Sequence, residues 1–298
     1  MNDRKMKNLG RVALFAATFL WGVSFVTMKN VLANISPLYI IAIRFCGAAL
    51  ILFPACIHKL KKIDKSYLVG GLLMGLTVFA AYSLQTFGLN LTTPGKNAFL
   101  TSVYCVMVPF LYWVFFRRKP DIFNIVAAFV CIAGIGFITV DGNLGIGTGD
   151  ALTVVCGFFF AIDIILIARF VENRDPVVLA MLQFAVTGLT ALICALAIDK
   201  PPSGLTTTDI WSLVFLTVVC TSACILMQVF GQKYTPPSQA AVIMTFESVI
   251  GALSSFFLYK EEITVRLIAG FALTFAAVII SETKLKFLTG SQKRRKKS

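Results

Sequence analysis

The sequence predicts an all-α membrane protein whose ten transmembrane helices form two inverted five-helix repeats. Composition, ten long apolar runs and an internal repeat support this fold class. Of the 298 residues, 58% are hydrophobic and only 14% are charged, against ~25% charged residues in a typical soluble domain. The mean hydropathy of +0.85 agrees. Ten spans of ~20 residues would use about two thirds of the chain, which excludes a large soluble domain.

The ten apolar runs follow one another with short connections. Seven contain no charged residue, and the other three contain one each: Arg44, Asp163 and Glu247. In hydrocarbon, the backbone N–H and C=O groups must form hydrogen bonds with one another. The alternating segments of an outer-membrane barrel are absent from the sequence, so the runs are predicted to be helices. They cover residues 12–28, 36–57, 67–95, 98–116, 122–140, 151–168, 176–198, 210–232, 236–259 and 267–281.

Basic residues are divided unequally between alternate loops, which gives an orientation. By the positive-inside rule, the richer side faces the cytoplasm. This side would hold both termini, while the glycine-rich stretch 141–150 would lie outside. The same division explains the net charge of +13 without a nucleic-acid partner, and it predicts that the basic tail binds membrane lipids. The basic residues of the richer side include Lys59, Lys65, Arg117, Arg118, Lys119, Arg169, Arg174, Lys233 and Lys293–Lys297.

The two halves of the chain repeat each other. Residues 85–98 and 228–241 share Gln, Phe, Gly, Thr, Pro and Ala without a gap, and the same register places Tyr104 opposite Glu247. In a shifted register, residues 38–45 meet 177–184. Because each half holds five spans, the second half must be inverted relative to the first. The predicted units are residues 1–143, residues 144–285 and a cytoplasmic tail, 286–298.

Inverted repeats favour transport, because two halves can open a shared site to either face in turn. A channel would more often show a ring of charge or a carbonyl-lined filter, and neither is evident. The sequence lacks the motifs of metal-dependent hydrolysis and of ATP binding. We therefore expect a protein without enzymatic activity, cofactor or metal, in which gradients drive transport. All eight cysteines lie in apolar runs and His58 is the single histidine, which gives no metal-ligand spacing.

Several stretches resemble the drug/metabolite transporter superfamily, in particular its ten-helix EamA-type members. They are FLWGVSF at 19–25, SPLYIIAIRF at 36–45, residues 98–120, residues 149–164 and residues 246–264, where Ser248 replaces a common proline. The resemblance implies alternating-access transport of a small polar or amphipathic metabolite, such as an amino acid, with export favoured. It also implies a multi-pass protein of the plasma (inner) membrane. The sequence leaves the oligomeric state open.

Charges inside the membrane mark the candidate substrate site, because each costs ~3 kcal/mol or more at a helix centre. Glu247, near the midplane, could bind a coupling proton or simply pair with another buried group. Arg44 could bind a substrate carboxylate, or it could only neutralise Glu247 or snorkel outward. Asp163 could face the cavity or cap a helix. Uncharged groups that offer hydrogen bonds or stacking complete the predicted lining: Trp21, Tyr82, Gln85, Tyr104, Gln183 and Gln228.

Two other functions remain as alternatives. An exchanger of sugar phosphates or nucleotide sugars should present several cavity Lys or Arg residues to phosphate, and Arg44 alone qualifies. Residues 147–150 spell the GxGD of intramembrane aspartyl proteases, which need two carboxylates that share a proton. Asp150 stands at the start of the sixth span, however, where an N-cap Asp is ordinary.

Overall fold

The computed structural model describes residues 3–117, 119–139, 147–172, 174–262 and 264–283. These residues form α-helices joined by short turns, and no β-strand occurs among them. Most of the predicted stretch 141–150 and the whole tail 286–298 lie outside the described residues. The α-helices are α1 (Asp3–Val31), α2 (Pro37–Cys56), α3 (Lys65–Leu91), α4 (Pro94–Thr101), α5 (Tyr104–Phe116), α6 (Ile122–Thr139), α7 (Thr148–Val171), α8 (Pro176–Ile198), α9 (Thr207–Val214), α10 (Cys224–Tyr234), α11 (Pro237–Ser254) and α12 (Val265–Thr283).

Three shorter segments interrupt or extend these helices. A 3₁₀ helix, Ile57–Lys62, follows α2. A π-helical segment, Phe215–Ala223, joins α9 to α10, and a second one, Ser255–Tyr259, extends α11. In the described part of the chain, eight helical stretches are long and apolar enough to cross a membrane. Two shorter apolar stretches lie one in α6 and one in α12. These ten stretches correspond to the ten predicted runs.

The boundary between the third and fourth predicted spans was placed wrongly. α3 ends at Leu91 and α4 begins at Pro94, so the end of the predicted run 67–95 belongs to the next helix. Thr93 adopts an extended conformation before Pro94, as the clash with a following proline ring requires. Its side chain caps α4 by accepting a hydrogen bond from the Lys96 backbone N–H.

Matching positions of the two halves have the same local structure. In the register of the sequence repeat, the ends of α3 and α10 coincide, and so do the starts of α4 and α11, each at a proline. Arg117, after α5, and Lys260, after the second π-helical segment, also coincide. Both have left-handed backbones, with φ of 60° and 55°. Such values are uncommon for residues other than glycine, so their recurrence supports the repeat alignment.

The helix packing follows the same pattern. α1 packs against α10 and α11, and its counterpart α7 packs against α3, α4 and α5. α2 packs against its own counterpart α8, and α6 against α12. Exchanging the two halves therefore turns each of these pairs either into itself or into another pair that is present.

Two helix crossings depend on glycine. A Cβ atom added to Gly88 in α3 would lie 2.8 Å from the carbonyl oxygen of Gly149 in α7. The matching crossing of α1 and α10 gives the same distance, 2.8 Å, from a Cβ added to Gly231 to the carbonyl oxygen of Gly10. Small residues let the backbones of membrane helices approach this closely.

An ion pair joins the segment after α2 to the start of α8. The Lys59 Nζ atom donates to the Asp175 carboxylate at 2.7 Å, and Asp175 also accepts a hydrogen bond from the Val177 N–H, which caps α8. Burial opposes the charged form of Asp175, but the hydrogen bonds from Lys59 and from the backbone outweigh it and lower the pKa of Asp175 below its usual value.

Candidate functional site

A narrow cavity lies at the centre of the bundle, between helices of both halves. All nine predicted site residues line it. Its free space is about 40 Å³, room for a few water molecules at ~10–15 Å³ each on this measure and far less than a metabolite needs. The nine residues are Trp21, Arg44, Tyr82, Gln85, Tyr104, Asp163, Gln183, Gln228 and Glu247.

Further lining residues escaped the sequence analysis, although the repeat contained a signal for them. The register that pairs Gln85 with Gln228 pairs Tyr82 with Ile225 and Thr101 with Met244, and all of these line the cavity. On α1 and α7, the register that pairs Arg44 with Gln183 also brings together cavity residues: Trp21 with Phe160, Ser24 with Asp163, and Phe25 with Ile164. Transferring each predicted residue to the other half would have found three of them: Ile225 from Tyr82, Phe160 from Trp21 and Ser24 from Asp163.

Arg44 does not pair with Glu247. No ion pair or hydrogen bond joins these two described residues, so the predicted neutralisation of Glu247 by Arg44 is wrong for this structure. The Arg44 Nε atom instead donates to the Thr221 hydroxyl at 2.9 Å, and the guanidinium carbon lies 5.1 Å from the centre of the Tyr82 ring. Arg44 is only 1% exposed. The Met28 sulfur is a second, weak acceptor at 3.9 Å, and the Phe45 ring centre lies 5.9 Å away, so a buried guanidinium is held by neutral groups alone.

The two acidic residues of the cavity differ in their surroundings. Asp163 accepts a hydrogen bond from the Gln183 Nε2 atom at 3.0 Å and is 2% exposed. Glu247 is 9% exposed and has no hydrogen-bond partner among the described residues. α11 passes through Glu247 and Ser248 without a break, although the matching residue of the first half, Tyr104, begins α5 after the helix is interrupted.

Aromatic rings form much of the apolar wall. Tyr82 packs edge-on against Phe45 and Phe160, with ring centres 5.0 and 5.3 Å apart. The Trp21 indole N–H donates to the carbonyl oxygen of Cys220 at 2.7 Å. The hydroxyl of Tyr104 is buried and has no partner in the described part of the chain. The cavity therefore offers a charged donor, two carboxyl groups and stacking surfaces together.

One end of the bundle is closed by polar contacts around the link between α3 and α4. At the last turn of α1, the Lys29 Nζ atom donates to the carbonyl oxygens of Leu89, Asn90 and Thr92 at 2.8–3.0 Å. These carbonyls would otherwise be unsatisfied at a helix C-terminus. Glu261 accepts a hydrogen bond from the Gly95 N–H at 3.0 Å, and its carboxylate also binds two hydroxyl groups, those of Thr93 and Ser255.

The opposite end of the bundle contains open space. A vestibule of about 430 Å³ lies between the start of α1, the ends of α5 and α7, and the link between α10 and α11. Lys7, Arg169 and Lys233 line it, together with Glu172. This link is the counterpart, in the repeat, of the link that closes the other end. The links at the two ends thus match each other in the sequence repeat, but the residues around them pack differently.

The geometry opposes the protease alternative. The sequence predicted Asp150 as the N-cap of α7, but Gly147 holds that position. Asp150 lies in the first turn, where it accepts a hydrogen bond from the Thr92 hydroxyl and lies 3.5 Å from Lys96. Thirteen residues separate it from Asp163 on the same helix, a rise of about 20 Å, so they cannot share a proton. No cluster of potential metal ligands occurs among the described residues.

Long apolar helices around a buried polar cavity define an integral multi-pass membrane protein of the transporter class. The EamA-like transporter family model matches residues 8–140 and 147–283. The chain belongs to this family, and with it to the drug/metabolite transporter superfamily, as its sequence motifs indicated.

Similar proteins agree with this assignment. An uncharacterized transporter of Archaeoglobus fulgidus is 30% identical over 275 residues, which cover 91% of this chain and 85% of that protein. The uncharacterized transporter YvbV of Bacillus subtilis is 25% identical over 93% of each chain. A protein of known crystal structure has the same fold, with a TM-score of 0.68, 14% identity, and coverage of 93% of this chain and 98% of that one. The named relatives are transporters, which suggests a function without enzymatic chemistry.

Proposed function

We propose that the protein is a secondary transporter that moves a small amphipathic metabolite, an amino acid or a related compound, by alternating access. It would act in the plasma (inner) membrane with both termini in the cytoplasm. Two inverted five-helix repeats would provide the moving halves, and the exchange symmetry of the helix packing supports this arrangement. The family assignment supports transport itself.

The observation that carries the proposal is a central cavity with three ionisable side chains that do not neutralise one another. Charges buried in a membrane protein are expensive unless they are paired. Arg44 contacts only neutral groups, and Glu247 has no hydrogen-bond partner among the described residues. A substrate that carries both a carboxylate and an ammonium group would supply both missing partners. Its apolar part would pack against Trp21, Tyr82 and Phe160.

Alternating access explains the unequal ends of the bundle. The end closed by Lys29 and Glu261 would face the exterior, because it carries the loops poor in basic residues. The vestibule near Lys7 would face the cytoplasm. In the opposite state, the halves would exchange these arrangements and open the cavity outward. The cavity must expand in either state, since its present volume of about 40 Å³ does not hold a metabolite.

Glu247 is the proposed coupling residue. A substrate ammonium group and a proton would compete for its carboxyl group, which links the two movements. Asp163 lies in the same cavity, but its hydrogen bond from Gln183 provides it with a partner. Among the described lining residues, Arg44 is the single lysine or arginine, which disfavours a phosphate-bearing substrate that needs several cations.

Counterflow in proteoliposomes tests the proposal. Vesicles loaded with unlabelled amino acids, one kind at a time, should accumulate the matching labelled compound, whereas vesicles loaded with inorganic phosphate should accumulate no labelled phosphate. Glu247→Gln should abolish stimulation of transport by an imposed pH gradient. Glu262→Gln, at an exposed position outside the helices, is the matched control and should behave as wild type.

Two results would contradict the proposal. If no amino acid shows counterflow while phosphate or a sugar phosphate does, the substrate class is wrong. If Glu247→Gln keeps the wild-type response to the pH gradient, the carboxyl group does not couple transport to protons.

A further inference from the structure

The π-helical segment Phe215–Ala223 lies beside the cavity in one half of the molecule only. The matching residues of the first half, 72–80, belong to the regular helix α3. π-Helical turns are rare and occur frequently at functional sites, because their wider spacing displaces backbone carbonyls and side chains from the regular helical positions. The segment is therefore a local departure from the repeat that needs a physical role.

Two cavity side chains bind this segment. The indole N–H of Trp21 donates to the Cys220 carbonyl at 2.7 Å, and the Nε atom of Arg44 donates to the Thr221 hydroxyl at 2.9 Å. The Thr221 hydroxyl in turn donates to the carbonyl oxygen of Leu216, five residues earlier, at 2.7 Å. Because the hydroxyl proton is used in that bond, its lone pairs are free to accept from Arg44.

This contact fixes the orientation of the guanidinium group. Thr221 takes the Nε donor, and the Tyr82 ring covers one face of the group at 5.1 Å. The remaining donors are on the two terminal nitrogens. One of these, Nη1, donates to the Met28 sulfur at 3.9 Å, a weak partner. The paired N–H groups suited to a carboxylate are thus left for a ligand.

The other half of the molecule serves as an internal comparison. In the register that pairs Gln85 with Gln228, Val78 matches Thr221, and in the shifted register that pairs residues 38–45 with 177–184, Gln183 matches Arg44. Val78 has no hydroxyl group, and Gln183 donates to Asp163 instead. α2 packs against the π-helical segment, and its counterpart α8 packs against α3 without an equivalent hydrogen bond. Packing alone therefore does not require the contact between Thr221 and Arg44.

We propose that Thr221 is a positioning residue that orients Arg44 to bind the anionic group of the substrate. The inference rests on the proposed transport function, which it deepens by assigning the anionic end of the substrate to the Arg44 side of the cavity. Thr221 itself is fully buried and is not one of the residues that line the cavity. Its hydroxyl group acts on binding through the guanidinium.

Trp21 provides a readout of binding that does not require transport. The other two tryptophans, Trp113 and Trp211, are exposed on the helix surface and can be replaced by phenylalanine, which leaves Trp21 as the single tryptophan. This doubly substituted protein is titrated with sodium benzoate and with benzamide, a neutral analogue of benzoate with a similar shape. Arg44 should favour benzoate by about tenfold or more, the effect of one charge-assisted hydrogen bond.

Three substitutions in this background test the role of Thr221. Thr221→Val should lower the benzoate preference by about tenfold and leave benzamide binding unchanged, whereas Thr221→Ser should restore the preference because it keeps the hydroxyl group. Ser222→Ala is the matched control. It removes an equivalent hydrogen bond to a carbonyl five residues earlier, that of Thr217, without a contact to Arg44.

The outcomes separate the two proposals. Thr221 would have a merely structural role if Thr221→Val lost benzoate and benzamide binding equally. The same would follow if Thr221→Ser failed to restore the preference for benzoate. Equal binding of both probes by the unsubstituted Thr221 protein would refute the orientation of Arg44 directly. Either result can occur while amino acid counterflow is intact, in which case the transport proposal stands and the positioning proposal falls.

Discussion

Gly188→Ala is expected to destabilise the bundle where α8 crosses α2. A Cβ atom at this position would lie 2.5 Å from the backbone nitrogen of Cys46 and 2.9 Å from the carbonyl carbon of Phe45. Ordinary contact begins at 3.4 Å, so the difference from 2.5 Å requires the helices to separate by about 0.9 Å. Backbone atoms cannot rotate away as a flexible side chain can.

The magnitude follows from two opposing effects. Overpacking costs ~1–3 kcal/mol, and a clash with backbone belongs at the upper end of that range. The better helix propensity of alanine offsets this by ~1 kcal/mol. The net loss is about 2 kcal/mol, which corresponds to a fall in Tm of about 4–8 °C for a chain of this size.

Gly136→Ala in α6 is the matched control, because a Cβ atom there meets no atom within 4 Å. This variant should keep the wild-type Tm or raise it slightly. Unfolding of the detergent-solubilised protein can be followed with a thiol-reactive dye, since most of the eight free cysteines are buried. Equal Tm values for the two variants would refute the proposed close contact between α2 and α8.

Three further predictions concern the ends of the bundle. Lys29→Met should destabilise the protein by about 2 kcal/mol because it removes the donor for three carbonyls, whereas Lys200→Met, at an exposed position, should have no effect on Tm. Asp175→Asn keeps the helix cap but loses the charge; because the folded-state pKa of Asp175 is lowered, the stability difference of up to ~1 kcal/mol should be complete near pH 7 and disappear as the pH falls below about 4. A constant difference down to pH 3 would contradict this assignment. In intact cells, Ser203→Cys should react with a membrane-impermeant maleimide and Lys61→Cys should not, and the reverse pattern would invert the proposed orientation.

Several residues of the cavity lining could be predicted from the sequence because the membrane makes polar side chains conspicuous. Arg44, Asp163 and Glu247 each interrupt an apolar run, and the repeat drew attention to Gln85 and Gln228. All five line the cavity. The aromatic residues were harder to select, since a chain with 27 phenylalanines offers many equivalent candidates for packing and for the cavity wall.

The partners of these side chains could not be predicted. The sequence left three possibilities for Arg44, which were binding a substrate carboxylate, neutralising Glu247 and snorkelling outward. It did not indicate Thr221, the residue that Arg44 contacts, because Thr221 has no distinctive pattern in the sequence. Side-chain partners depend on the rotation of each helix about its axis and on the crossing points, and spacing along one helix does not determine either. The π-helical segment was missed for the same reason, because it changes the register of α10 by a local rearrangement of hydrogen bonds.

The sequence by itself determined the helical class, the approximate spans and the charged residues of the cavity, because apolar length and the cost of buried charge act locally along the chain. Only the tertiary structure decided which polar groups meet, that one end of the bundle is closed, and that Arg44 is held by Thr221. These properties depend on contacts between helices far apart in sequence, whose geometry is set by the packing of the whole bundle.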